Sequence, residues 1–267
     1  MKKKDELAYT KLVKRDLADE YVLAMARGIV ERAEANGILL RLLGASAFVI
    51  HCPRFEGLFK KFDRKLTDVD VITYGSFNST EIEKTLSTMG FGRQRHYVWH
   101  AAYREIYVND EGLFVDVFRD SLNFSHVLSL QGRLELDGPT IPLADLLLEK
   151  LQIHRITEKD LKDIAILLLE HDMGGSGDRE RIDLTYVNRI LSDDWGFHYD
   201  ALNNLKKAGE YLEKLSGQVE RRLVEGRVEA LIDAIERAPK SARWERRAKK
   251  GTRRPWYNEV GEIQQGV

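Results

Sequence analysis

A single acid, Asp116, interrupts the otherwise apolar run Leu113-Phe114-Val115-Asp116-Val117-Phe118. The β-branched and aromatic residues around it predict a buried strand over 113–118. An ionised carboxylate between such neighbours is costly unless a partner meets it, so the fold must bring compensating groups to this strand. A second strand-like run, Val69-Asp70-Val71-Ile72-Thr73-Tyr74, carries Asp70, with Asp68 two positions before it. On a strand, Asp68 and Asp70 leave the same face, about 6 to 7 Å apart along the backbone, while Val69 and Val71 turn to the other. Two carboxylates facing one way repel unless a cation lies between them. Oxygen ligands without sulfur or imidazole select Mg²⁺ or Mn²⁺. If the two strands are neighbours, Asp68, Asp70 and Asp116 converge.

Other elements are placed around this pair. Residues 5–36 read as one or two amphipathic helices stopped by Asn36-Gly37. Residues 38–43 form a short apolar run ending at Gly44, predicted to be a buried strand that turns into a helix over 45–51. The mixed, basic stretch 52–65 reads as a loop. A helix over 79–89 and a hairpin of 94–100 with 104–108 complete an alternation of strands and helices, which predicts an α+β fold with a small mixed sheet flanked by helices. From Pro142 onward the periodicity is helical, over 143–154, 158–171, 184–191, 199–215 and 219–235. The glycine-rich stretch 174–178 is the best candidate linker. It lacks the Lys-Ser/Thr of a phosphate loop and follows no strand. The organisation expected is a catalytic core over 1–173, a helical domain over 178–238 and a basic tail over 239–267.

Composition closes other doors. The 267 residues carry a net charge of −1, which argues against a surface coated for nucleic acid, so any such affinity must be local. The one cysteine, Cys52, forms neither an internal disulfide nor a thiolate metal site and suits a reducing, cytoplasmic setting. No apolar run approaches the length of a membrane span, and the lysine-rich start has no apolar stretch behind it. The histidines are scattered without metal-ligand spacing, and Ser46 is not flanked as a nucleophile elbow would be. Lys150 falls on the apolar face of its helix, where a lysine either snorkels outward or meets an anion. Asp160 and Asp163 lie one turn apart on the next helix; Lys159 and Asp163 have the spacing of a helical ion pair, with a functional role as the equal alternative. Eight of the fifteen residues from Lys240 to Arg254 are Lys or Arg, with Trp244 among them and Trp256-Tyr257 just after. Basic charge interleaved with aromatics suits RNA; a solvated appendage is the alternative.

The strand ending in Leu42-Leu43-Gly44-Ala45-Ser46-Ala47, the Arg64-Lys65-Leu66-Thr67-Asp68-Val69-Asp70-Val71 stretch and Val115-Asp116-Val117-Phe118 together resemble the polymerase beta-like nucleotidyltransferase superfamily. Within it, Leu147-Leu148-Glu149-Lys150-Leu151, then Arg155 and Lys159-Asp160-Leu161-Lys162-Asp163-Ile164, look most like the bacterial AbiEii-type branch. The resemblance spans about residues 38–172. Ala45 departs from the usual second small residue of the turn, and the interval from Gly44 to Asp68 carries an insertion placed in 52–65. What the resemblance implies is transfer of a nucleoside monophosphate from a nucleoside triphosphate to a hydroxyl on RNA, protein or a small molecule. It makes Asp68, Asp70 and Asp116 the catalytic metal ligands for Mg²⁺ or Mn²⁺. Gly44, Ala45, Ser46, Arg64, Thr67 and Lys150 become the substrate-binding residues. It also implies a toxin–antitoxin setting with a cognate antitoxin. A glycosyltransferase would use one Asp-x-Asp without needing a third acid on a separate strand, and a catalytically silent nucleotide- or RNA-binding module of the same fold is the second reading.

Overall fold

A computed structural model describes residues 16–94, 104–211 and 217–259. Residues 95–100 of the expected strand over 94–100, the first part of the expected N-terminal helix, the end of the expected helix over 199–215 and the last residues of the tail lie outside this set.

Helix α1 (Asp19–Ala35) buries Val22, Ala26, Ile29, Val30 and Ala33, which share one helical face. It stops where Gly37 takes a positive φ of 72° and Ile38 donates back to the Ala33 carbonyl. Strand β1 (Arg41–Leu43) runs straight into α2 (Gly44–His51), whose first residue, Gly44, also has a positive φ of 63°. The stretch expected to be a loop instead contains a 3-10 turn over Pro53–Phe55 and a short helix α3 (Glu56–Lys61), because Phe59 is buried and Phe55, Leu58 and Phe62 pack against the core beside it. Strand β2 (Asp68–Thr73), helix α4 (Ser79–Ser87), the short β3 (Gly92–Arg93), β4 (Arg104–Val108) and β5 (Phe114–Arg119) follow. A hairpin of β6 (Ser121–Asn123) and β7 (Val127–Ser129) extends from the end of β5.

The main path of the sheet runs β1-β2-β5-β4-β3. β2 and β5 are parallel neighbours, and every other pair along that path is antiparallel. The free side of β1 is met by residues 139–141: Leu42 donates to the Pro139 carbonyl and accepts from the Ile141 N–H. Val69, Val71, Val115 and Val117 are fully buried on one sheet face. Contacts from Ser79 and Glu83 to Glu105, Arg119 and Arg93 place α4 on that same face, with α1 packed beside it.

Helices α5 (Leu143–Leu151) and α6 (Glu158–Glu170) follow; every residue of α5 is buried, and α6 starts in a capping box of Thr157 and Asp160. Both pack on α8 (Trp195–Tyr211), and α9 (Gln218–Arg237) packs on α6 and α8. The mixed α+β fold is therefore as expected, a small mixed sheet followed by helices. The glycine-rich stretch expected to be a linker instead lies in a short connection between two parallel strands. Asp172–Gly174 (β8) pairs with Arg181–Asp183 (β9), which leads into α7 (Leu184–Leu191). The tail is structured through residue 259: α10 (Ala242–Ala248) is capped by Ser241 and followed by a 3-10 turn over Gly251–Arg253. Among the described residues no helix is long and apolar enough to cross a membrane.

Candidate active site

The parallel pairing of β2 with β5 sets Asp70 directly opposite Asp116. Directly registered residues on neighbouring strands share a face, so Asp68, Asp70 and Asp116 leave the sheet together, away from the valines. On its other side Asp70 is in register with Leu43, the last residue of β1. The chain then turns at Gly44, whose bare Cα lies so close to the Asp70 carboxylate that an added Cβ would overlap it. This packing explains why a glycine stands at the turn. Burial, together with Asp68, Asp116 and Glu149 nearby, pushes the Asp70 carboxyl well above the usual range. Thr67 donates to Asp68 at 3.0 Å and orients it.

Asp116 is only 5% exposed, and its compensating partner is a guanidinium: Arg104 Nη2 donates to its Oδ2. Arg104 is paired in register with Phe118, two residues on from Asp116, so it rises from the same face. The three aspartates thus share a face and a neighbourhood without closing around one point. Among the described residues no three acid, His or Cys side chains have metal-holding geometry.

A second charged cluster adjoins the turn. Glu149, from α5, accepts the Gly44 N–H at 3.1 Å. Its neighbour Lys150 lies 3.3 Å from Glu149, 3.4 Å from Asp160 and 3.4 Å from Asp163, with its ammonium over the Phe48 ring. Burial alone would lower the Lys150 pKa, but the surrounding carboxylates outweigh it and raise it. Lys150 therefore neither snorkels to solvent nor stands bare for an anion; it is held in a cage of carboxylates. Arg64 grips Asp163 bidentately, with both bonds at 2.9 Å, and both side chains are almost fully buried. The ion pair expected between Lys159 and Asp163 does not form, since Asp163 turns inward to Arg64 and Lys150 while Lys159 is exposed. Ser46 Oγ, in the first turn of α2, is buried without a hydrogen-bond partner, and Ala45 beside it is partly exposed.

This arrangement fits the expected group in kind. The donors facing one way are all carboxylate oxygens, as Mg²⁺ or Mn²⁺ would require. The start of α2 supplies backbone N–H groups and an unspent hydroxyl beside them, which suits phosphate oxygens. Two partners escaped the sequence reading. Arg104 stands at the start of a predicted strand with nothing in sequence to tie it to Asp116, and nothing in sequence ties Glu149, next to Lys150, to the Gly44 turn 105 positions before it.

The tail's aromatics face inward. Trp256 Nε1 donates to Asp200 at 3.2 Å, and its ring meets Trp195, Tyr199 and His154 edge-on. Trp244 packs edge-on against His198. Several tail cations are spent internally: Arg247 donates to the carbonyls of Gly251, Arg254 and Pro255, and Lys240 to those of Ile235 and Glu236. The tail is thus ordered and docked by its aromatics through residue 259, while Arg243, Arg246, Lys249, Lys250, Arg253 and Arg254 stay exposed.

No family model matches the chain, and no curated protein matches it. Among solved structures it is similar to an antigenic nucleotidyltransferase-like protein from Paracoccidioides brasiliensis, with a TM-score of 0.41 and 12% identity, over 85% of this chain and 97% of that one.

Proposed function

We propose that the chain is a metal-dependent nucleotidyltransferase of the polymerase beta-like superfamily, moving a nucleoside monophosphate from a nucleoside triphosphate to a hydroxyl. The observation that carries this reading is the register of Asp70 with Asp116 on parallel neighbours, with the Gly44 turn packed against Asp70. Asp68, Asp70 and Asp116 are the residues that would hold Mg²⁺ or Mn²⁺. Such an ion, when bound, neutralises phosphate charge and favours attack by the hydroxyl. The chain's own part is placement. Gly44, Ala45 and Ser46 offer N–H groups to phosphate oxygens once Glu149 yields the Gly44 N–H. Thr67 keeps Asp68 aimed. Arg64 fixes Asp163 and so positions Lys150 on the phosphate side of the turn. Asp116, released by Arg104, is stationed to orient the acceptor hydroxyl and take its proton.

One pair of contacts favours the second reading, a silent nucleotide- or RNA-binding module: Arg104 already satisfies Asp116 and Glu149 already satisfies Gly44. Purified protein incubated with each α-labelled nucleoside triphosphate, Mg²⁺ and a cell extract decides between them. Transfer of label to RNA, protein or a small molecule, abolished by Asp70→Asn, is the expected result and names the acceptor. Nucleotide binding without transfer under any condition favours the silent module. The AbiEii resemblance adds a toxin setting with an antitoxin partner, for which growth arrest on expression is the direct assay.

A further inference from the structure

Residues 241–258 form a strap fastened at both ends. The Ser241 N–H donates to the Ser192 carbonyl at 2.9 Å, and the Asn258 N–H to the Ser125 carbonyl at 2.8 Å. Between these points α10 packs on α8, and Trp256 is tied to the buried Asp200. What the strap turns outward is basic. Residues 240–254 hold eight cations and one acid, a net +7, so the other 252 residues carry a net −8 within the chain's −1. A polyanion is therefore attracted to this strap and repelled by the body as a whole.

The six exposed cations are Arg243, Arg246, Lys249, Lys250, Arg253 and Arg254. Arg243 pairs with Asp193 at 3.2 Å, and the other five form no ion pair among the described residues. Arg253 instead donates to the Lys249 carbonyl at 2.9 Å, which holds its guanidinium beside the two lysines. An ordered backbone that gathers like charges works against their repulsion, which bound phosphates relieve. An exposed aromatic borders this charge. Tyr199 is 37% exposed, and its ring lies 5.2 Å from Trp195 and 5.4 Å from Trp256. Its neighbours fix the ring while part of the side chain stays open to solvent, beside the end of the strap that carries Arg253 and Arg254.

We propose that the strap and Tyr199 bind a single-stranded polynucleotide, with the cations on its phosphates and Tyr199 stacked on an unpaired base. Basic side chains that track a backbone, next to an aromatic that can stack, are what a single strand requires. A duplex offers the phosphates but keeps its bases stacked on one another, so the aromatic contact selects against it. Binding here draws nothing from the carboxylates of β2 and β5 and goes beyond nucleotidyl transfer.

The test is fluorescence anisotropy of a labelled, mixed-sequence single strand of about twenty nucleotides, as RNA and as DNA, titrated with the full chain in EDTA at several salt concentrations. Saturable binding is expected, with log affinity falling linearly as log salt rises. The combined variant Arg246→Gln, Lys249→Gln, Lys250→Gln and Arg254→Gln should bind about tenfold or more weakly and reduce that slope by about 2 to 3. All four side chains are exposed, so its circular dichroism and melting temperature should match wild type. Tyr199→Leu keeps an apolar side chain against Trp195 and Trp256; it should weaken binding about fivefold or more with the slope unchanged, while Tyr199→Phe binds as wild type. Preference for RNA or for DNA identifies the strand, and both support the surface. Absence of saturable binding, an unchanged slope in the combined variant, or a matched duplex bound as tightly as the single strand overturns the proposal. Any of those failures leaves the transferase reading standing, and failure of label transfer leaves this surface standing.

Discussion

Gly44 lies against the carboxylate of Asp70, with positive φ and with no room for a Cβ, whose nearest neighbours would include the Asp70 carboxyl carbon at 3.1 Å. Gly44→Ala therefore combines left-handed backbone strain with a displaced aspartate. The expected cost in a urea titration is about 1 to 2 kcal/mol, together with loss of most label transfer. Gly37→Ala supplies the comparison: it has a similar φ of 72° but open space around it. That variant should lose about 1 kcal/mol and keep its activity. Equal activity losses in the two variants would show that strain, not the Asp70 contact, matters.

Arg104 competes with any cation for Asp116. Arg104→Gln removes the positive charge while keeping a polar side chain, so Mn²⁺ should bind several-fold more tightly, as read from the free-ion electron paramagnetic resonance signal. Unchanged affinity would mean that Asp116 is not a ligand. Asp116→Asn in the same background should then reverse the gain.

The strands of the site were legible because each places β-branched residues and acids on opposite faces, and period-2 patterning survives even in six residues. Register could not be read: nothing in either run says that Asp70, not Asp68, stands opposite Asp116. Helices α5 and α6 were legible from their leucines, but the fate of their charges was not. Lys150 stands out on an apolar helix face, but nothing local shows that its partners are carboxylates, and Asp163 looks like an ordinary helix-surface residue until Arg64, 99 positions before it, pairs with it. The stretch 174–178 reads as a linker because the three-residue strands at its two ends are too short to show a period, and glycine composition then dominates. The inward turn of Trp256 depends on Asp200, a partner 56 residues away that no local pattern announces.

The Arg64–Asp163 pair gives a stability prediction with a definite sign. Asp163→Ala leaves Arg64 without its bidentate partner and takes one of three carboxylates from Lys150, all in a buried setting. Breaking a buried pair from one side costs about 3 to 5 kcal/mol, so the urea midpoint should fall steeply. Exposed pairs such as Arg237 with Asp233 contribute far less. Asp233→Ala should change stability by under about 0.5 kcal/mol, and a comparable loss in both variants would contradict the distinction.

Asp200 ties three segments together and should make the tail's docking sensitive to acid. It accepts from His126 at 2.8 Å, from His154 at 3.0 Å and from Trp256, and is only 3% exposed. Burial pushes its carboxyl up, but hydrogen bonds from His126, His154 and Trp256 together overcome that and hold it below the usual range. A carboxyl depressed in the folded state contributes stability that is present above its unfolded value, near 4, and is lost as pH falls through the folded value. The Trp256 docking should therefore hold at neutral pH and loosen only below about pH 4. Asp200→Asn should remove that dependence and loosen the tail at all pH values, because the amide accepts fewer hydrogen bonds and carries no charge for the two imidazoles. Hydrogen bonds to a charged acceptor contribute about 1.5 to 3 kcal/mol each, so the variant should lose at least that much. Tryptophan emission followed from pH 7 to pH 3 reads the environment of Trp256 directly, with Trp256→Phe assigning the signal. An emission change shared by wild type and Asp200→Asn, with the same midpoint, would place the acid sensitivity elsewhere in the chain.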